Sequence, residues 1–137
     1  MRYRDGDGRV FLNRNKQPYD LILCDAFHGG YIPFHLLTKE FFRLVKKNLT
    51  PNGAVAVNIH DGTKLFVSTI ITMRAEFPSL HLYPTGEGEV IAVGMMQPRD
   101  DKDALAKRAA DMQEKFKFRY PLPKLMDLKP ERFGIEL

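Results

Sequence analysis

The sequence predicts an α/β domain on a mostly parallel sheet, with helices on both faces and an antiparallel strand pair toward the C-terminus. Three observations predict it. Residues 19–25 (YDLILCD) and 54–59 (AVAVNI) are short, almost wholly apolar runs, the pattern of strands buried on both faces. Each is followed by a stretch with apolar residues at helical spacing, over 39–48 and 63–76. Two further strand-like runs, 79–84 and 89–96, flank the turn-forming Thr85, Gly86, Glu87 and Gly88, which predicts a close antiparallel pair. Alternating buried strands and helices is how a parallel sheet covers its faces.

Taken in order, residues 1–4 read as a short strand broken by Asp5, Gly6, Asp7 and Gly8. Residues 9–15 read as a short helix with Val10 and Phe11 inward, ended by Pro18, since proline disfavours helix in the residue before it. Residues 26–37 form a loop containing Gly29, Gly30 and Pro33. Thr38 is the expected N-cap of a helix that buries Phe41, Phe42 and Val45, with Pro51, Asn52 and Gly53 as its stop. Asp61 and Gly62 punctuate the next strand, and the helix after it turns Leu65, Phe66, Ile70 and Met73 inward. A final helix over 102–118 carries Leu105, Ala109, Met112 and Phe116 as one apolar stripe, read as a core face with a partner or membrane surface as the alternative. Residues 1–118 are thus expected to form one domain and 119–137 a proline-bearing tail.

At 137 residues and 44% hydrophobic, the chain can bury a core of its own. No apolar run approaches the ~18–20 residues that span a bilayer, so membrane insertion is not expected. The charged opening, MRYRDGDGRVFL, does not read as a secretion signal. Cys24 is the single cysteine, which excludes an internal disulfide and fits a reducing, cytoplasmic setting. The net charge of +4 is spread evenly, with 11 basic and 9 acidic groups over 1–98 and 10 and 8 over 99–137. Phosphate binding needs a concentrated basic patch, so nucleic acid is not an expected partner.

In parallel sheets ligands sit beyond the carboxyl ends of the strands. That directs attention to 5–8, 25–31 and 60–62. Asp25 follows four apolar residues and precedes a glycine-containing loop. Its carboxylate reads either as a proton acceptor or ammonium ligand, or as a helix-capping or loop-bracing group. Asp7, at the end of the first short strand, reads either as an acceptor for an exocyclic amine or as a turn aspartate. A calcium loop counted from Asp5 fails, because Val10 and Lys16 stand where glycine and glutamate are needed. Neither Gly6-Asp7-Gly8 nor Gly86-Glu87-Gly88 reads as a phosphate-cradling turn at a helix start. His28, His35, His60 and His81 lack metal-ligand spacing, so no metal is expected. His28 and Tyr31 are the loop residues that can face a ligand, with solvation and packing as their ordinary roles. Cys24 reads as a core thiol rather than a nucleophile.

The segments GDGRVFL (6–12), YDLILCDAF (19–27), IPFHLLTKEFF (32–42) and LTPNGAVAVNI (49–59) together resemble the spermidine synthase-like aminopropyltransferases. The resemblance runs in order over 5–96, and the final helix also fits. It implies part of a Rossmann-like fold of the class I methyltransferase type, which uses S-adenosylmethionine or its decarboxylated form as substrate. It implies that Asp7 and Gly8 contact the adenine and that Asp25 accepts or orients an attacking small-molecule amine. Two departures bear on this. The family's second aspartate, three places after the first, is His28 here, followed by Gly29. A neutral histidine cannot pair with a second ammonium as a carboxylate can, which argues against putrescine. The family's glycine-rich loop, the helix after it and the strand ending in a ribose-binding acid precede the matched segment. The resemblance therefore implies an incomplete cofactor pocket, and an open edge on strand 19–25 covered by a second chain, a second copy or the tail. The rival expectations are an S-adenosylmethionine-dependent methyltransferase and a non-catalytic binding module.

Overall fold

Residues 5–26, 32–85, 88–98 and 101–125 are described in the computed structural model. The core is set by two helices whose buried residues recur on one side. In α2 (Lys39–Lys47) these are Phe41, Phe42 and Val45, and in α3 (Phe66–Glu76) they are Phe66, Thr69, Ile70 and Met73. Thr38 starts α2 by accepting the Phe41 N–H at 3.2 Å. Glu40 in its first turn and Lys46 and Lys47 in its last complement the helix dipole. The helices pack on the strands β1 (Tyr19–Cys24), β2 (Leu49–His60), β3 (Ser79–Pro84) and β4 (Glu89–Met95), ordered β1-β2-β4-β3. β1 runs parallel to β2, while β4 is antiparallel to both β2 and β3. Three strands therefore point one way and β4 the other, the predicted parallel sheet closed by an antiparallel pair.

One face of the sheet is the core face. Val55, Val57 and Ile59 of β2 and Val90 and Ala92 of β4 are buried in one cluster with the inward residues of α2, α3 and Leu12. Leu12 comes from α1 (Gly8–Arg14), which packs on α2. Asn48 ties these pieces together. Its Nδ2 donates to the carbonyls of Leu12 and Leu44, its Oδ1 accepts from Asn15, and its carbonyl accepts the Tyr19 N–H. The end of α1, the end of α2 and the entry to β1 are thus fixed by one buried amide.

Several expectations are corrected. Strand 19–25 is not buried on both faces: Leu21 and Leu23 are 55% and 69% exposed. β1 is an edge among the described strands, and α1, α2 and α3 all bury their apolar residues against the opposite face, where Ile22 and Cys24 lie. Pro51, Asn52 and Gly53 do not end α2 but lie inside β2, where the register shifts between Tyr19↔Leu49 and Leu21↔Ala54. Val10 and Phe11 of α1 are exposed, and Leu12 takes the inward position. α3 begins only at Phe66, and Leu65 is exposed as its N-cap.

The last long helix, α4 (Lys102–Phe116), ends on Lys117 in the left-handed conformation (φ 53°), followed by the short α5 (Leu122–Leu125). Of its apolar stripe, Ala109 is buried and Leu105 half-buried, while Met112 and Phe116 are exposed; neither Ala109 nor Leu105 joins the main core cluster, and the helix packs against α5. The predicted strand 1–4 and most of the predicted tail lie outside the described residues. No helix among the described residues is long and apolar enough to cross a membrane.

Gly94 marks the tightest sheet–helix approach. A Cβ placed there meets the Phe77 ring at 2.8 Å, and that ring in turn packs edge-on against Phe42. Gly94→Ala is therefore expected to lower stability by about 1–3 kcal/mol through overpacking. Chemical denaturation checks this as a lower midpoint at an unchanged slope.

Candidate active site at the carboxyl end of the sheet

Three strands bring polar groups to one rim. The register pairs Leu23 with Ala56, so Asp25, two residues on, reaches the level of Asn58 and shares its face. In the other direction His60 pairs with Glu89 and Asn58 with Ile91, which sets Glu89 beside Asn58 on the same face. The Asn58 amide Nδ2 donates to Asp25 Oδ1 and to Glu89 Oε2, each at 3.3 Å. These contacts are at the long end of hydrogen bonding. Asn58 Oδ1 is shielded from solvent and has no hydrogen-bond partner among the described residues. Asp25 is exposed, Asn58 and Glu89 are half-buried, and neither carboxylate is in an ion pair among the described residues.

The wall of the rim beyond Asn58 is held by Gly88, which is at φ +79° and whose Cβ, if present, would lie 3.3 Å from the His60 ring. The Gly88 carbonyl accepts the Asp61 N–H at 2.8 Å, closing β4 onto the end of β2. His60 is exposed and its Nδ1 accepts the Gly62 N–H at 3.1 Å. Cys24 packs toward the core, and burial pushes its thiol up to about 11, so it stays protonated.

Asp7 stands at a helix start, and the strand expected before it, over 1–4, lies outside the described residues. It N-caps α1, its Oδ1 accepting the Val10 N–H at 2.9 Å, while its Oδ2 lies 2.9 Å from His35 Nε2. The Val10 hydrogen bond, followed by the His35 contact, holds the Asp7 carboxyl below its ordinary value of 3.8. Arg9 Nη1 donates to the His35 carbonyl at 3.2 Å and fixes the loop that carries the imidazole. Gly8 is the first residue of α1, with open space where a Cβ would stand.

His28 and Tyr31 lie outside the described residues. The sequence reading did not single out Asn58 or Glu89, and passed over His35 as lacking metal-ligand spacing. Asn58 did leave a signal, as the one polar residue in AVAVNI. His35 and Glu89 left none, because their partners lie 28 and 31 residues away in the chain. A shallow concavity of about 390 Å³ between α1 and α2, lined by Arg9, Val10, Asn13, Glu40 and Leu44, is remote from this rim and holds none of its groups.

A polyamine aminopropyltransferase of Vibrio vulnificus is 34% identical to this chain over 113 residues, which are 79% of this chain and 38% of that protein. The chain is spermidine synthase-like. This spermidine synthase-like chain spans well under half the length of that relative. No family model matches it. Among solved structures, human methyltransferase-like protein 13 in complex with SAH superposes with a TM-score of 0.75 at 21% identity, over 88% of this chain and 61% of that one. A spermidine synthase in complex with the transition state analogue AdoDATO gives 0.68 at 16% identity, over 93% and 47%. Both share the Rossmann-like methyltransferase fold seen here.

Because the Asp7 pKa is lower folded than unfolded, its contribution to stability is complete above 3.8 and is lost as pH falls through the lower folded value. Asp7→Ala is expected to lower the thermal midpoint at neutral pH, with the gap to the parent narrowing in acid. Thermal unfolding followed by circular dichroism at about pH 7 and about pH 3 checks this.

Proposed function

We propose that this chain forms the amine-activating wall of an aminopropyl-transfer site, using decarboxylated S-adenosylmethionine and a small-molecule amine. The observation that carries the reading is Asp25: an exposed carboxylate at the carboxyl end of a parallel strand, held by a neutral amide and by no cation among the described residues. In this reaction an amine nitrogen forms a bond to the carbon next to a sulfonium while the carbon–sulfur bond breaks, and the sulfur leaves as a neutral thioether. The sulfonium supplies the leaving group. The protein's part is position, and an acceptor that takes the amine's proton so that its lone pair is free. Asp25 is that acceptor.

Asp7 and Gly8 serve the adenine. The Asp7 carboxylate is fixed by its cap and by His35, and Gly8 leaves room for a ring to approach. His28 and Tyr31, which follow Asp25 in the sequence, contact the amine in this reading. The likeness to the Vibrio vulnificus aminopropyltransferase supports the transfer chemistry. A second reading, methyl transfer from S-adenosylmethionine, is favoured by the overlap with human methyltransferase-like protein 13. The edge of β1, unpaired among the described residues and with Leu21 and Leu23 exposed beside it, is covered by a second chain, a second copy or the tail in the working protein, which acts in the cytoplasm.

Mass spectrometry of the amine after incubation with decarboxylated S-adenosylmethionine tests the reading, and added aminopropyl is the expected product. Asp25→Asn is expected to lower kcat about 10²–10⁴-fold with folding intact. A methylated product from S-adenosylmethionine establishes the second reading instead, and neither product overturns both. Sedimentation tests the covered edge, where a stable monomer with Leu21 and Leu23 accessible to solvent counts against it.

A further inference from the structure

The last long helix carries a surface that the chemistry at the rim leaves unused. Its apolar stripe runs past its buried part. Met112 and Phe116, one turn apart on α4, are exposed, and so are Phe118 and Tyr120 just after it. Four large apolar side chains thus meet solvent within residues 112–120. Basic side chains interleave with them. Residues 115–124 (KFKFRYPLPK) hold four basic groups and no acidic one, as much charge as the net +4 of the whole chain. None of the four is in a salt bridge among the described residues.

This segment is held against the helix end. The Gln113 carbonyl accepts the Lys117 N–H at 2.9 Å, its Nε2 donates to the Phe118 carbonyl at 3.0 Å, and its Oε1 accepts the Leu122 N–H at 3.0 Å. The turn so closed puts Lys117 at φ 53°, a left-handed conformation that glycine adopts at less cost. The lysine there adds a cation to the patch. Cations also sit against the rings. Lys115 Nζ is 5.2 Å from the Phe116 centroid, and the Arg119 guanidinium is 5.5 Å from that of Tyr120. The Phe116 and Phe118 rings lie 5.7 Å apart.

Rings whose faces are taken by cations and by each other are poor platforms for stacked bases, which disfavours single-stranded nucleic acid. Exposed rings flanked by basic groups suit the boundary of an anionic bilayer, where rings enter the headgroup layer and cations meet lipid phosphates. We propose that residues 112–124 form a docking surface for an anionic lipid bilayer, on which the chain lies without crossing it. This surface serves the chain whichever group it transfers.

Co-sedimentation of the full chain with vesicles tests this, using phosphatidylcholine alone and phosphatidylcholine with about one-third phosphatidylglycerol. Binding to the anionic vesicles is expected to be at least about tenfold tighter than to the neutral ones, and to weaken as salt rises. Phe116→Ser with Phe118→Ser, and separately Lys115→Gln with Arg119→Gln, are each expected to lower it at least about tenfold with the circular dichroism spectrum unchanged. Val67→Ser, at an exposed apolar site on α3, is expected to leave it intact. Lys117→Gly is expected to weaken binding without lowering the thermal midpoint, a split that loss of folding does not produce. No binding to anionic vesicles, equal binding to neutral ones, or binding that survives both pairs of substitutions overturns the proposal. Capture of a single-stranded oligonucleotide in place of vesicles, or a dimer that Phe116→Ser with Phe118→Ser dissolves in a chain that ignores vesicles, overturns it and identifies the other occupant.

Discussion

The arrangement of the rim depends on the register of β2 between its two neighbours. β2 is read in parallel by β1 and in antiparallel by β4, and only this double register brings residues 25, 58 and 89 to one place. The register is held by burial. Val55, Val57 and Ile59 point into the helices, and Ala54, Ala56 and Asn58 alternate with them on the other face. A slip of one residue on either side would turn three large aliphatic side chains out of the core and put an amide into it. The hydrophobic contacts of α2 and α3 thus position a polar group that none of their buried residues touches.

A second fixed point lies at the opposite end of the strands. Asn48 satisfies its own amide against α1, α2 and Asn15 while its carbonyl receives the start of β1. α1 is pinned at its C-terminal end in this way, and its N-terminal end is tied down separately, by Arg9 Nη1 donating to the His35 carbonyl. His35 then reaches Asp7 from the loop before α2, whose start is set by the Thr38 cap. The two acidic positions named from sequence, Asp7 and Asp25, are therefore carried by different elements, the start of α1 and the end of β1.

How much of this was legible follows from what kind of signal each feature leaves. The Thr38 cap, the inward residues of α2 and the strand pair 79–96 are local patterns, and they stand as read. The apolar run of β1 was read as doubly buried, because apolarity records what a face suits and not what covers it; Leu21 and Leu23 meet that limit. Pro51, Asn52 and Gly53 are ordinary helix-stop residues, yet here they lie inside β2, where the pairing with β1 shifts register between Tyr19 and Leu21. A glycine on either side of Asp7 hides its role as a cap, although the side-chain bond to Val10 spans only three residues. Pairings across 28 to 33 residues, as at His35, Asn58 and Glu89, leave no periodicity and appear only in three dimensions.

The choice of asparagine at 58 has a physical logic of its own. A lysine or arginine there would neutralise Asp25 and Glu89 and compete with any incoming cation, as Arg43 does at Glu76. An aspartate would place a third anion on the rim and drive protonation of one of the three. A leucine would fill the space but leave both acids without a donor on the sheet side. The amide holds both carboxylates through two contacts of 3.3 Å, at the long end of hydrogen bonding, and brings no charge of its own. The rim is thus ordered without being neutralised, and its negative charge remains available to a cation arriving from solvent.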